Sequence, residues 1–133
     1  MLGIDESKAD SSIFHIPLTV SLYSAGKLIP MEINYTEASA SGSLFVKVAG
    51  DCDMYSAEKF FSGVTEKMSM GFSRVFLDFS EVIYLDSSGI GAIIRIIKRS
   101  KEKNIDLRFR GISGTPRKVL RMSNILTLIN EET

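Results

Sequence analysis

The sequence predicts an α/β fold in which a mixed four- to five-stranded sheet carries its helices mainly on one face. Three observations indicate this architecture. Strand-like and helix-like segments alternate three times along the chain, which favours parallel strands joined by right-handed crossovers. Apolar and polar residues alternate within the strand segments, as expected when only one face of a sheet is buried. A short polar turn joins the first two strand segments, so that pair is expected to be antiparallel.

The chain divides into an N-terminal extension, residues 1–30, and a main domain, residues 31–133. Within the extension, Ile13–Tyr23 alternates around Pro17 in a way that is compatible with an edge strand. Ser24–Gly26 then has the composition of a turn.

The main domain begins with two strands and a helix. Met31–Thr36 is the first predicted strand, and Leu44–Ala49 is the second, with its leucine and valines on one face. A helix is predicted from about Met54 to Ser69, and Gly71 provides a left-handed cap after it. The apolar residues of this helix recur at helical spacing: Ala57, Phe60, Phe61, Val64 and Met68.

The middle of the domain is a strand, a loop and a second helix. Arg74–Phe79 is rich in β-forming residues and predicts the strand. The helix begins at Asp86 or Ser87, either of which can act as its N-cap, and ends near Lys103. Its apolar stripe is predicted to be Ile90, Ile93, Ile94 and Ile97.

The last third contains two strands and a short helix. Asp106–Arg110 alternates as a strand does, and Ile125–Ile129 is predicted to be the last strand. Between them, Thr115 is the predicted cap of a helix with Pro116 in its first turn. This helix carries three apolar residues, Val119, Leu120 and Met122.

Composition limits the classes of function. The 133 residues suit one domain with its own core, and a single cysteine, Cys52, excludes an internal disulfide framework. No apolar run approaches the roughly 20 residues that span a bilayer, and the start of the chain lacks the pattern of a signal peptide. We therefore expect a cytoplasmic protein with no membrane span. The net charge is zero, which gives no indication of direct nucleic-acid binding.

The charges are nevertheless segregated along the chain. Ten of the sixteen basic residues lie between Arg95 and Arg121, and seven acidic residues lie between Asp51 and Asp86. The simpler interpretation is a set of solvated faces. The alternative is an acidic docking edge near the start of the second helix.

The stretch Leu85–Gly91 (Leu-Asp-Ser-Ser-Gly-Ile-Gly) places two hydroxyl groups at a helix N-terminus. A phosphate on Ser87 would meet free backbone N–H groups and the positive end of the helix dipole. It would also lie beside Asp86, which repels it. This combination suits a reversible modification, although Ser87 can equally be a plain helix-capping residue.

This stretch, following Val75–Ser80, resembles the signature of STAS domains, and specifically of bacterial anti-sigma factor antagonists. Leu44–Asp53 with Ser56–Glu58 resembles the second strand, turn and first helix of that family. Gly111–Ser113 with Val119–Ser123 and Ile125–Leu126 resembles its third helix and last strand. The resemblance covers about residues 31–129. It implies the mixed sheet described above, and it implies a binding protein with no cofactor and no enzymatic activity.

The resemblance also implies a mechanism of partner switching. An anti-sigma factor serine kinase is bound by the unphosphorylated protein and released after phosphorylation of Ser87, with Ser88 as the secondary acceptor. A separate phosphatase then restores binding. Asp53 and Asp86 match acidic positions near the acceptor, and the partner-binding residues are expected to be these two with Ser88, Gly89 and Ile90. The alternative is an unswitched STAS scaffold, or a transporter-associated subunit that binds a membrane complex or a nucleotide.

Enzymatic interpretations of the same residues have little support. The pattern Gly-x-Ser-x-Gly is absent around Ser87, and the one histidine, His15, lies in the extension, where it cannot be assumed to reach Ser87 as a base. No Gly-rich Walker loop is present. Cys52 and His15 alone do not make a metal site.

The sequence departs from the family at both ends. Family members usually continue into a further helix after the last strand, whereas here about thirty additional residues precede the domain. Phe45, Phe76 and the stems of Arg108 and Arg110 are expected to share the sheet face away from the helices. We hypothesise that the N-terminal segment covers part of that face or extends an edge of the sheet, so that its removal lowers the melting temperature.

Overall fold

The computed structural model describes residues 29–132. The edge strand and turn predicted at Ile13–Tyr23 and Ser24–Gly26 lie outside these residues. The elements in chain order are β1 (Glu32–Ala38), a 3-10 helix (Ser39–Ser41), β2 (Ser43–Cys52), α1 (Ala57–Met68), β3 (Arg74–Leu85), α2 (Ser87–Glu102), β4 (Asp106–Arg110), α3 (Gly114–Met122) and a second 3-10 helix (Leu126–Leu128).

The four strands form one mixed sheet in the order β1-β2-β3-β4. β1 is antiparallel to β2, whereas β2–β3 and β3–β4 are parallel pairs. The predicted α/β class and strand directions are therefore confirmed. Because β2 and β3 are parallel neighbours, their carboxyl ends meet at the same end of the sheet, and the predicted site residues lie there.

One face of the sheet and the three helices enclose a single core. On β2 the predicted alternation is confirmed, since Leu44, Val46 and Val48 are almost completely buried and Lys47 is exposed. The helices contribute Phe60 and Ile93, also fully buried. Each such side chain contributes about 1.5–3 kcal/mol by leaving water, so the core holds the sheet and helices together.

The opposite face of the sheet carries the two phenylalanines that were predicted there. The Phe45 and Phe76 rings stack with centroids 4.8 Å apart. The Arg110 guanidinium lies over both rings, 4.9 Å from the Phe76 centroid and 5.7 Å from the Phe45 centroid. The aromatic pair is thus already covered by a side chain of the neighbouring strand.

α1 begins at Ala57 and not at the predicted Met54. The reason is a hydrogen-bonded turn before the helix. The Asp53 Oδ1 atom accepts from the Tyr55 backbone N–H at 2.9 Å, and the Ser56 hydroxyl donates to the Asp51 carbonyl at 2.9 Å. This turn keeps Met54 out of the helix and in contact with solvent.

The two strands that lead to the site are longer than predicted. β2 continues to Cys52 and β3 continues to Leu85, well beyond the predicted Phe79. Register shifts in this pair, between Lys47 and Ala49 and again after Gly50, allow the pairing to persist to Cys52 and Leu85. Sequence patterns did not reveal this extension because the irregular pairing interrupts the simple alternation of a strand.

The buried side of α2 differs from the predicted stripe. Ile93 is fully buried as predicted, but Ile96 is also fully buried and Ile94 is 39% exposed. Ile90 and Ile97 are half-buried. The difference arises because α2 packs against α1 as well as against β3 and β4. The buried side of the helix is therefore turned away from the side predicted from the isoleucines.

The prediction of a last strand at Ile125–Ile129 is wrong. Asn124 has a positive φ of 62°, and the Ile125 N–H donates to the Leu120 carbonyl at 2.9 Å, which ends α3 and turns the chain into a 3-10 helix. A single parallel bridge joins Phe109 to Glu131 instead.

The short helix α3 also needs two corrections. Its N-cap is Ser113 and not Thr115. Met122 is 73% exposed, so it does not belong to the apolar side of the helix.

Candidate functional site

The candidate site is built where β2 and β3 end side by side. Cys52 pairs with Leu85 in the sheet, and the Asp86 N–H donates to the Cys52 carbonyl at 3.3 Å. The two segments that follow these strands are therefore held together. We refer to residues 51–56 and 84–90 as the β2–β3 end.

Of the two residues predicted as possible N-caps of α2, Asp86 and Ser87, the N-cap is Asp86. Its backbone is extended, and its Oδ1 atom accepts from the N–H groups of Ser88 at 2.9 Å and Gly89 at 3.1 Å. Ser87 is the first residue of the helix and is exposed. Because Asp86 satisfies the helix start, the hydroxyl of Ser87 is not needed as a cap.

Gly89 allows the start of α2 to press against the end of β2. A Cβ atom at this position would lie 2.5 Å from the Cys52 carbonyl oxygen, 2.8 Å from its Sγ atom and 2.6 Å from the Leu85 Cδ1 atom. Because two of these three contacts are with Cys52, the last residue of β2, a larger residue at position 89 does not fit without displacing the helix. At Gly91, two residues further along the helix, a Cβ atom would meet nothing within 4 Å.

Asp53 organises the segment on the other side of the site. It is 3% exposed, and its Oδ1 atom accepts from the Ser56 hydroxyl at 3.1 Å in addition to the Tyr55 N–H. Asp53 thus stabilises the turn before α1, and its carbonyl accepts from the Ala57 N–H at 2.8 Å.

The electrostatic environment of the site is negative. Burial raises the pKa of the Cys52 thiol to about 12, and the nearby carboxylates of Asp86 and Asp53 add to this effect. Desolvation also raises the pKa of Tyr84, with further contributions from Asp86, Asp53 and Asp51. Both groups are therefore neutral near pH 7, in the field of several carboxylates.

Exposed apolar residues at this end were missed at the sequence level. Met54 is 66% exposed, Tyr55 is 51% exposed and Ile83 is 53% exposed. Met54 and Tyr55 belong to the β2–β3 end, and Ile83 directly precedes its second segment in the chain. Their exposure could have been predicted from the sequence, because Met54 and Tyr55 do not belong to the apolar stripe of the first helix.

The structure brings together all six predicted site residues: Ser87, Ser88, Asp53, Asp86, Gly89 and Ile90. Ser88 and Ile90 are half-buried and Gly89 is buried, so Ser87 is the more accessible of the two hydroxyls. The roles predicted for these residues stay predictions.

The acidic residues between Asp51 and Asp86 were interpreted either as solvated faces or as an acidic docking edge. Neither interpretation applies to all of them. Glu58 pairs with Arg95 at 3.2 Å and Glu81 pairs with Lys47 at 3.2 Å, as expected on solvated faces. Asp51 and Asp53 are buried and therefore do not belong to a solvated face.

Within residues 29–132, no cluster of three or more His, Cys, Asp or Glu side chains has the geometry of a metal site. None of the helices in this part of the chain is both long and apolar enough to cross a membrane.

Residues 35–133 match the sequence profile of the family described as STAS domain. Among curated proteins, an anti-sigma-B factor antagonist of Staphylococcus aureus (strain NCTC 8325) is 23% identical over 105 residues, which cover 77% of this chain and 97% of the relative.

Solved structures of low sequence identity share the fold. The anti-sigma factor antagonist SpoIIAA in its unphosphorylated form superposes with a TM-score of 0.64 at 16% identity, covering 77% of this chain and 89% of that one. The phosphorylated form of SpoIIAA from Bacillus gives 0.59, also at 16% identity, with 77% and 92% covered. A sulfate transporter family protein from Wolinella succinogenes gives 0.60 at 15% identity, with 80% and 79% covered.

Proposed function

The chain belongs to the STAS domain family, and on this premise we propose that it is an anti-sigma factor antagonist that acts by partner switching. In its unphosphorylated form it binds an anti-sigma factor serine kinase. Phosphorylation of Ser87 releases the kinase, and a separate phosphatase resets the switch. The protein acts by binding and catalyses no reaction itself.

The observation that carries this proposal is the division of labour between Asp86 and Ser87. Asp86 caps α2 through two backbone hydrogen bonds, whereas Ser87 is exposed at the first helical position. Modification of a capping serine would alter the oxygen that accepts the backbone hydrogen bonds of the cap. Here the hydroxyl can accept a phosphate without loss of the cap.

The surroundings of Ser87 explain how a phosphate would change binding. The exposed apolar residues Met54, Tyr55 and Ile83 provide contact area for the kinase. A phosphate adds about −1.5 to −2 charge to an end of the fold that already carries Asp53 and Asp86. Burying such a group in an interface without a cationic partner costs several kcal/mol, and losing only about 2.7 kcal/mol weakens binding roughly a hundredfold.

The proposal is tested by phosphorylation with the co-encoded kinase and ATP, followed by mass spectrometry. We expect one phosphate on Ser87, none in Ser87→Ala, and an unchanged result in Ser113→Ala. Ser113 is a matched control because it is also an exposed serine at a helix start and makes no side-chain capping bond.

Binding measurements with the same variants complete the test. Ser87→Ala should fold with a stability change of about 1 kcal/mol or less, bind the kinase, and stay bound when ATP is added. Ser87→Glu should bind the kinase more weakly because of repulsion and desolvation at the interface. If ATP still releases both variants, Ser87 is not the switch and Ser88 becomes the acceptor to examine.

The second candidate function is an unswitched STAS subunit of a transporter or another membrane complex. The structural similarity to the sulfate transporter family protein favours its consideration. Under this alternative, Ser87 would stay unmodified in the presence of any co-encoded kinase, and the neighbouring genes would encode a permease or an ATPase.

A further inference from the structure

The outer side of α2 carries isoleucines that the core does not take up completely. Ile94 is 39% exposed, and Ile90 and Ile97, which pack at the margin of the core, are half-buried. Successive members of this set are four and three residues apart, so their side chains are neighbours on the helix surface. α2 therefore presents a partly exposed apolar strip, which we call the isoleucine ridge (Ile90, Ile94 and Ile97).

The ridge belongs to a longer outer face of α2 that begins at Ser87. Five residues recur along this face at spacings of four, three, four and three, which keeps them on one side of the helix. They are Ser87, Gly91, Ile94, Lys98 and Lys101. At a rise of about 1.5 Å per residue, the face extends about 21 Å from its first to its last member. It is therefore continuous with the surface around Ser87.

The charges of the outer face change sign along the helix. The two arginines beside it, Arg95 and Arg99, each pair with a glutamate, at 3.2 and 3.5 Å. Lys98 and Lys101 are exposed, and neither forms an ion pair with a residue in the range 29–132. The other end of the face begins next to the Asp86 carboxylate. A charged partner can therefore lie along α2 favourably in one direction only, with its own carboxylates over the two lysines.

Gly91 keeps the middle of the outer face low. It lies inside α2, where glycine costs stability relative to alanine. A Cβ atom at this position would meet nothing within 4 Å, so no contact inside the fold requires a glycine. A position without a side chain, between Ser87 and Ile94, lets a second protein approach the helix backbone closely.

We propose that the anti-sigma factor serine kinase docks along the outer face of α2, an inference that rests on the proposed function. The kinase presents an apolar groove to the isoleucine ridge and carboxylates to Lys98 and Lys101. The contact surface then runs from Lys101 to Ser87, so a phosphate on Ser87 lies within it and loses water when the kinase binds. The ridge and the lysines determine which kinase is bound, whereas Ser87 determines whether it stays bound.

The experiment measures association and dissociation rates of the full chain with the co-encoded kinase in the absence of ATP, so that no phosphoryl transfer takes place. Gly91→Gln adds a side chain where the fold has room. It should keep the melting temperature of wild type and weaken binding about tenfold or more, because the side chain obstructs docking. Ile94→Ala should weaken binding by about tenfold, mainly through faster dissociation. Met70→Ala is the matched control, since Met70 is 58% exposed and lies between α1 and β3, at the other end of the sheet from Ser87. It should stay within about twofold of wild type.

A second pair of variants tests the charges. Lys98→Gln combined with Lys101→Gln should lower the association rate about fivefold at low ionic strength and reduce its salt dependence. Lys47→Gln combined with Arg74→Gln removes the same charge from exposed residues of β2 and β3. This control should change the association rate by less than about twofold, because neither residue belongs to α2.

The possible failures are distinguishable. If wild type does not bind the kinase, the proposed function fails and this inference fails with it. If wild type binds and is phosphorylated on Ser87, but Gly91→Gln and Ile94→Ala bind equally well, only the docking surface is wrong. Equal losses in the test variants and their controls also overturn it. If Gly91→Gln abolishes self-association of the chain and leaves kinase binding unchanged, the outer face of α2 belongs to a contact between two copies.

Discussion

The N-termini of α2 and α3 are similar in sequence but differ in construction. Each follows a parallel strand, and each has an exposed serine at its start and a glycine close behind it. At α2, Asp86 caps the helix and Gly89 rests against the end of β2. At α3, Ser113 makes no capping bond through its side chain, and a Cβ atom on Gly114 would meet nothing within 4 Å.

Their charged surroundings also differ. Near the start of α3, Arg117 donates to the Ile112 carbonyl at 3.1 Å and forms a bidentate ion pair with Glu131 at 3.0 and 3.1 Å. The start of α2 is instead surrounded by Asp53, Asp86 and buried Cys52. A serine at a helix N-terminus therefore does not define a site by itself. The start of α2 differs in two ways: Gly89 packs against the end of β2, and the carboxylates of Asp53 and Asp86 lie nearby.

The largest expected effect comes from removing the close packing at α2. Gly89→Ala places a methyl group against the Cys52 carbonyl and should lower the free energy of unfolding by about 1–3 kcal/mol. Gly91→Ala, the control on the same helix, should raise it by up to about 1 kcal/mol because alanine favours the helix and meets no neighbour. Chemical denaturation measures both. Equal stability of the two variants would contradict the close support of α2 by β2.

A smaller effect is expected from removing the caps themselves. Asp86→Ala should reduce the free energy of unfolding by about 1 kcal/mol, since the N–H groups of Ser88 and Gly89 lose their acceptor. Asp86→Asn keeps an acceptor oxygen and should cost less. Ser113→Ala should change stability by less than about 0.5 kcal/mol because no capping bond is lost. A large loss in Ser113→Ala would remove the difference between the two helix starts.

The smallest effect concerns the thiol beneath α2. The pKa of Cys52 is raised to about 12 in the fold, against about 8.5 in an unfolded chain. The unfolded state therefore loses its thiol proton first as the pH rises, and stability falls. The expected loss between pH 7 and pH 9 is about 0.8 kcal/mol. Denaturation curves at both pH values measure it, with Cys52→Ala as the variant that lacks this contribution. An identical pH dependence in that variant would assign the loss to other groups.

Sequence patterns alone predicted the fold class, the strand directions and the location of the candidate site. Alternation in β2 and helical spacing in α1 are local patterns, and their burial follows directly from the geometry of strands and helices. The stretch around Ser87 was recognisable because the residues that cap a helix and allow close approach are adjacent in the chain.

Features that depend on contacts between distant segments became visible only in the folded chain. The pairing of Cys52 with Leu85 extends both strands and brings Asp53 to Asp86, although these two residues are separated by an entire helix and strand. The packing of α2 on both α1 and the sheet buries Ile96 and exposes Ile94. In these two cases the stabilising contacts come from segments that are remote in sequence, so no local pattern predicted them. The C-terminal segment differs, because the Ile125 N–H donates to the nearby Leu120 carbonyl and the pairing with β4 begins only at Asn130.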